Sequence, residues 1–202
     1  MKKTLVIIDF QKDFADPLGS LYVKGAEEAE GNIIDYMYNH KDEISEVIFT
    51  VDWHSINHCS FKRNGGVWPD HCIQYTEGAG ISDILIQKCI EYGFEIKIFT
   101  KGNVDNVEEY GAFEYVSPWK YKSDGTTYFA INNIGTNSFN YINNRDIVVC
   151  GIAGDYCVKS SIENLMKCRE QLNIEVLMNG IASIDDGSTI NKFVKENHLI
   201  KV

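Results

Sequence analysis

Residues 144–168 read NRDIVVCGIAGDYCVKSSIENLMKC. An apolar run, Asp146–Gly151, carries Ile147, Val148 and Val149, and from Asp155 the apolar spacing turns helical, so a strand passes into a helix across Ile152, Ala153 and Gly154. Runs of the same kind recur at Thr4–Asp9, Glu46–Asp52, Glu95–Lys101 and Ile174–Met178. Helical patterns occupy Ala26–His40, Ser82–Tyr92, Asp155–Gln171 and Asp185–Asn197. Strands alternating with helices predict an α/β fold, and strands that are nearly continuously apolar are covered on both faces of a mostly parallel sheet. The expectation is a three-layer α/β/α architecture around a Rossmann-like central sheet.

A chain of 202 residues, 44% of them hydrophobic, is long enough to bury one sizeable core, so a single domain over 1–202 is the expectation. No apolar run reaches the ~18 residues of a membrane span. The apolar part of Met1–Asp9 is too short for a signal segment and ends in an aspartate. The net charge of −10 repels a phosphate backbone, which argues against nucleic acid as a partner. Six cysteines (Cys59, Cys72, Cys89, Cys150, Cys157 and Cys168) have no C-x-x-C pair among them, and they read as reduced thiols of a cytoplasmic protein. Residues 103–144 follow no clear period, and 114–144 in particular is expected to be loop. It is a candidate lid or a contact between copies of the chain, so a homo-oligomer is left open.

In an open parallel sheet, ligands collect beyond the carboxyl ends of the strands. Here those ends carry chemistry: Asp9 ends the first run, Asp52 the second, Lys101 the third, and the fourth leads to Cys157. A carboxylate can take a thiol proton and return it to a leaving group, while a cation stabilises the anions. Asp155 is placed to cap the helix, and a thiol in its first turn is expected to have a lowered pKa. Gly151 and Gly154 let the backbone turn tightly enough for amide N–H groups to face an oxyanion.

A second cluster is Asp52-Trp53-His54 with His58 and His71. On an extended segment Asp52 and His54 point the same way, and His71 arrives from the following loop. Two imidazoles and a carboxylate suit Zn²⁺ or Fe²⁺ with positions open for water or substrate. The bland alternative has His58 and His71 bonded only to loop carbonyls.

With these motifs in place the chain resembles the nicotinamidases of the isochorismatase-like cysteine hydrolase family. The likeness runs through Ile7–Phe14, Val51–Phe61, Val67–Cys72, Phe99–Gly102, Glu109–Phe113 and Gly151–Lys159, in order, over about residues 4 to 185. It weakens after Phe113, and Gly154 stands where many members have a side chain. The resemblance implies the isochorismatase-like hydrolase fold and a catalytic set of Asp9, Lys101 and Cys157. It also implies a cis peptide between Ile152 and Ala153 that aims the amides of Ala153 and Cys157 at the oxyanion. Asp52, His54 and His71 would hold one divalent metal ion, zinc foremost with iron or manganese as alternatives, and His58 joins the ligands in some members only. Phe14, Trp68, Tyr110 and Tyr156 match pocket-lining positions.

The implied activity is hydrolysis of nicotinamide to nicotinic acid and ammonia through a cysteine thioester, in NAD salvage, with nicotinamide as the small-molecule partner. The alternatives are a related cysteine amidohydrolase acting on another small amide or an N-carbamoyl compound, and a non-catalytic homologue that binds a metal or small ligand. Enzymes for N-carbamoyl compounds generally lack the aspartate–histidine–histidine set that Asp52, His54 and His71 supply. Neither the metal's identity nor activity on pyrazinamide can be read from these residues.

Overall fold

Strand β1 (Lys3–Ile8) lies inside the sheet because it offers water no polar face: Leu5, Val6, Ile7 and Ile8 are all fully buried. The computed structural model describes residues 2–113, 142–167 and 172–202. Around β1 stand β2 (Ile44–Asp52), β3 (Glu95–Lys101), β4 (Asp146–Ile152), β5 (Asn173–Ala182) and β6 (Ile200–Lys201). They form one six-stranded sheet in the order β3-β2-β1-β4-β5-β6, and every pairing is parallel.

Side chains alternate across this sheet with a period of two, so each central strand feeds two cores. Leu5, Ile7, Val47, Phe49 and Val148 pack on one face; Val6, Ile8, Ile48, Ile147 and Val149 pack on the other. The short helix α1 (Lys12–Ala15), α2 (Ala26–Asn39) and α3 (Asp83–Tyr92) cover the first face, where Phe14, Ile33, Met37 and Leu85 are buried. Helices α4 (Lys159–Lys167) and α5 (Ser188–Glu196) cover the second through Ile162, Leu165, Ile190 and Phe193. Each fully buried aliphatic or aromatic side chain contributes about 1.5–3 kcal/mol. Right-handed crossovers explain the sorting: the chain moves outward from β1 to β3 in one direction and from β4 to β6 in the other, so its helices change face. The reversal between β1 and β4 leaves a crevice at their carboxyl ends.

The α/β reading of the sequence agrees with this architecture, and the differences are local. Strand β6 is two exposed residues, too short to show a period. Helix α5 begins at Ser188, after Gly187 at the N-cap, and Asp185 stands in the turn before it, accepting the N–H of Thr189 at 3.0 Å and of Gly187 at 2.8 Å. Residues 154–158 form a single wider π-helical turn before α4, and the expected helix end at 168–171 lies outside the described residues. So does most of the irregular stretch expected at 114–144, of which 142–144 are described. There Asn143 donates its N–H to the buried Glu46 at 3.1 Å and Asn144 donates to Thr4 at 3.1 Å, which guides the chain back into β4. Among the described residues no helix is long and apolar enough to cross a membrane.

Two glycines should respond to substitution with opposite signs. Gly151 has φ +125°, and a Cβ there would lie 2.1 Å from the carbonyl oxygen of Ile8, so β4 can approach β1 only without a side chain. Gly151→Ala should cost about 3 kcal/mol, a Tm loss of about 6–12 °C in a chain of this size. Gly31, inside α2 with nothing near its Cβ position, should instead gain about 0.5–1 kcal/mol as alanine. Thermal unfolding checks both, and a Gly151→Ala protein as stable as the parent would show that β4 can move off β1 freely.

Candidate active site

The parallel register sets Asp52 directly opposite Lys101, and Ile8 opposite both Thr50 and Gly151. Residues just past these positions therefore meet at one end of the sheet. Asp9 follows β1 in a left-handed conformation, φ +46°, with its N–H on the Thr50 carbonyl at 3.0 Å and its Oδ1 accepting from the Thr50 hydroxyl at 2.7 Å. Lys101 is 2% exposed. Its Nζ lies 2.7 Å from Asp9 Oδ2, in contact with Asp52 Oδ1, and 3.6 Å from Cys157 Sγ. It also donates to the carbonyl of Glu109 at 3.4 Å. The oxygens of Asp9 and Asp52 and the sulfur of Cys157 all lie within 4.8 Å of one another.

Burial and charge compete here. Burial opposes the ammonium of Lys101, but the carboxylates of Asp52 and Asp9 outweigh it and hold its pKa well above the ordinary lysine value. Burial raises the Asp9 pKa, and Lys101 only partly offsets the effect. For Asp52 the balance reverses: burial is overcome by Lys101 and then His54, and the carboxyl sits well below the usual range. Burial pushes the Cys157 thiol well up, against the pull of Lys101. The lowered thiol pKa expected from the helix terminus is thus corrected: a desolvated sulfur beside two carboxylates stays protonated at rest.

Asp155 is also corrected as a helix cap. Its carboxylate accepts from the backbone N–H of Ile184 at 2.9 Å and of Asp185 at 3.1 Å, tying the turn that carries Cys157 to the loop after β5. The turn itself closes on the carbonyl of Ala153, which accepts from Tyr156 N–H at 3.1 Å and Val158 N–H at 3.0 Å. The Ile152–Ala153 peptide is cis. At Gly154 a Cβ would lie 2.2 Å from the Ser183 hydroxyl, which explains why a side chain does not fit at this position in this chain.

Asp52, His54 and His71 present donor atoms within 4.8 Å of one another. His54 Nδ1 lies 2.8 Å from the Gly102 carbonyl and His71 Nδ1 lies 2.8 Å from the Pro69 carbonyl. A carbonyl can only accept, so each Nδ1 carries a proton, and in the neutral ring it is Nε2 that has the lone pair to offer. Those two Nε2 atoms stand 3.6 Å and 3.9 Å from Asp52 Oδ2. Ligands of a tetrahedral divalent ion at ordinary bond lengths stand about 3.4 Å apart, so the set fits a metal ion. His58 differs: Nδ1 accepts from Ser60 N–H at 3.2 Å and Nε2 faces the Val107 carbonyl at 3.1 Å. With both nitrogens taken, its ring stacks on His54, centroids 4.0 Å apart.

The thiol, Asp52 and His71 open into one cleft of about 400 Å³, its mouth included. Phe14, Trp68, Tyr110 and Tyr156 all line it. Trp68 Nε1 donates to the Tyr110 hydroxyl at 3.1 Å, and its ring meets Tyr156 edge-on at 5.1 Å.

Sequence reasoning overlooked the residues that hold these groups. Gln11, fully buried, accepts from Asp52 N–H at 2.7 Å and donates to the Asp52 carbonyl at 2.8 Å. Asp13 accepts the N–H of Cys72, next to His71, at 2.7 Å. Both fall within the motif Ile7–Phe14, and their nearness to Asp9 was the one available signal.

No family model matches the chain. A nicotinamidase of Saccharomyces cerevisiae is 28% identical over 220 aligned positions, covering 96% of this chain and 94% of the relative. The crystal structure of the yeast nicotinamidase bound to the inhibitor nicotinaldehyde superposes with a TM-score of 0.79 at 26% identity, over 99% of both chains. A protein of L. infantum in complex with nicotinate superposes with a TM-score of 0.73 at 28% identity, over 100% of this chain and 92% of the other.

The ion cluster yields a stability prediction. Lys101→Met leaves two buried carboxylates without their cation and should cost about 3–5 kcal/mol at pH 7 in the presence of a chelator. The loss should shrink as the pH falls and the carboxyls take up protons. Urea unfolding at several pH values checks this, and a loss below about 1 kcal/mol at neutral pH would contradict a charged cluster.

Proposed function

We infer that this chain belongs to the nicotinamidases of the isochorismatase-like cysteine hydrolases and hydrolyses nicotinamide to nicotinic acid and ammonia, a reaction of NAD salvage. The observation that carries this reading is the aromatic cleft lined by Cys157 together with Asp52 and His71, with the Lys101 ammonium 3.6 Å from the thiol and 2.7 Å from Asp9 behind that wall. A protonated thiol needs a base within reach, and Asp9 is that base: a carboxylate whose basicity burial has raised is better matched to a thiol.

In the proposed reaction Asp9 takes the thiol proton while Cys157 Sγ bonds to the amide carbon. The N–H groups of Ala153 and Cys157 stabilise the oxyanion, and Lys101 offsets the negative charge shared among sulfur and carboxylates. The C–N bond then breaks, and ammonia leaves with the proton held by Asp9. Water adds to the thioester, giving its proton to Asp9. The C–S bond breaks, the acid is released, and the proton returns to the sulfur. Phe14, Trp68, Tyr110 and Tyr156 clamp the ring so that the amide carbon faces the thiol, and such orientation supplies much of the rate. Asp52, His54 and His71 would hold one divalent ion, for which zinc suits the two-imidazole, one-carboxylate set, and the ion would supply a Lewis-acid anchor for the substrate. His58, with both nitrogens engaged, supports His54 and is not a ligand in this arrangement.

Ammonia release from nicotinamide by metal-replete protein tests the reading, and its absence would turn attention to N-carbamoyl substrates. Cys157→Ala should lower turnover by at least about 10⁴-fold with the fold intact; retention of a few per cent of the rate would rule out the thiol mechanism. Asp52→Ala should lose bound metal, measured by elemental analysis, and unchanged metal content would refute its place in the ligand set.

A further inference from the structure

The segment between Lys101 and Tyr110 contributes a carboxylate that the reaction above does not use. Glu109 is buried, and its Oε2 accepts the N–H of Gly102 at 3.0 Å. Its own carbonyl accepts from Lys101 Nζ at 3.4 Å. Gly102 in turn is the seat of His54. Its carbonyl takes the His54 Nδ1 proton at 2.8 Å, and it lies so close under the imidazole that a Cβ would stand 2.3 Å from His54 Cε1. Gly102 also has φ +64°, a left-handed conformation that glycine enters without steric cost and leaves as readily. What fixes the residue is the bond from Glu109 across the loop.

We propose that Glu109 is a positioning residue for the metal site: by holding Gly102 it sets the tautomer and the aim of His54 Nε2 toward Asp52. The inference rests on the metal assignment made above and extends it to a residue outside the donor set. Hydrogen-bond partners one step behind a metal ligand govern its orientation and basicity, and their loss ordinarily weakens metal binding by about 10–100-fold. In Glu109→Ala the buried Gly102 N–H would lose this acceptor and the carbonyl seat of His54 would be free to rotate. Glu109→Gln keeps an oxygen that can accept the same N–H. Its charge is lost but the geometry is preserved.

The experiment is zinc affinity, measured by competition with a chromophoric chelator on folded protein, for the parent, Glu109→Ala, Glu109→Gln and Glu109→Asp. The expected result is a loss of about 10–100-fold in Glu109→Ala and recovery to within about threefold of the parent in Glu109→Gln. A residue that merely closed the loop would lower the melting temperature and leave zinc affinity per folded molecule unchanged, so an affinity within twofold of the parent in Glu109→Ala overturns the proposal. Should Glu109→Ala fail to fold, Glu109→Asp, one methylene too short to reach Gly102, carries the same comparison with the same two outcomes. A parent that binds no zinc would sink the metal assignment itself, a result distinct from a parent and a Glu109→Ala variant that bind it equally.

Discussion

One buried ammonium organises this end of the molecule. Lys101 is almost wholly removed from water, and such a cation persists only when charge and hydrogen bonds replace its hydration. Asp9 from the end of β1 and Asp52 from the end of β2 do so, and the lysine itself comes from β3, so the ion cluster ties three adjacent strands together. The same arrangement divides the labour between the two carboxylates. Asp52, facing the lysine and two imidazoles, stays ionised, while Asp9, dominated by burial, is more basic than an ordinary aspartate. Two aspartates of identical intrinsic acidity are driven apart by their surroundings, as acid–base chemistry near neutral pH requires.

The topology brings these groups together cheaply. Because the strand order reverses between β1 and β4, their connections leave in opposite directions and open a crevice where Asp9 and Cys157 meet. Polar supports then fix each member of the Asp52–His54–His71 cluster from behind. Gln11 brackets the backbone of Asp52, Gly102 seats His54, and Asp13 holds the peptide beside His71. Two of these supports come from the short segment that begins just after Asp9, so Asp9 and the Asp52–His54–His71 cluster share a frame. A buried donor or acceptor left without its partner costs about 1–3 kcal/mol, which keeps the frame in one arrangement.

Much of this was legible in the chain. The alternation of apolar runs and helical periods pointed to a three-layer α/β fold, since periodicity is a local property that neighbouring residues carry by themselves. The polar residues that end the strands were legible for the same reason: Asp9, Asp52 and Lys101 interrupt apolar runs at corresponding places, and Cys157 follows the fourth. The resemblance to nicotinamidases added the cis peptide at Ile152–Ala153, which no pattern of residue types could have indicated.

Tertiary structure alone decided the rest, because burial and distance belong to the packed whole. Helix position suggested an acidic thiol at Cys157, yet desolvation beside Asp9 and Asp52 leaves it protonated. Asp155 looked like a cap and serves instead as an anchor for residues almost thirty positions away. Three histidines and an aspartate looked alike as ligands, and only their folded-state partners decide that His54 and His71, each with Nδ1 on a carbonyl, have Nε2 free of one, while both nitrogens of His58 are engaged. The sequence by itself determined which chemical groups stand at the ends of the strands. Their protonation, their aim and the residues that hold them were set by segments that meet only in the folded chain, where low dielectric and exact hydrogen-bond partners replace water.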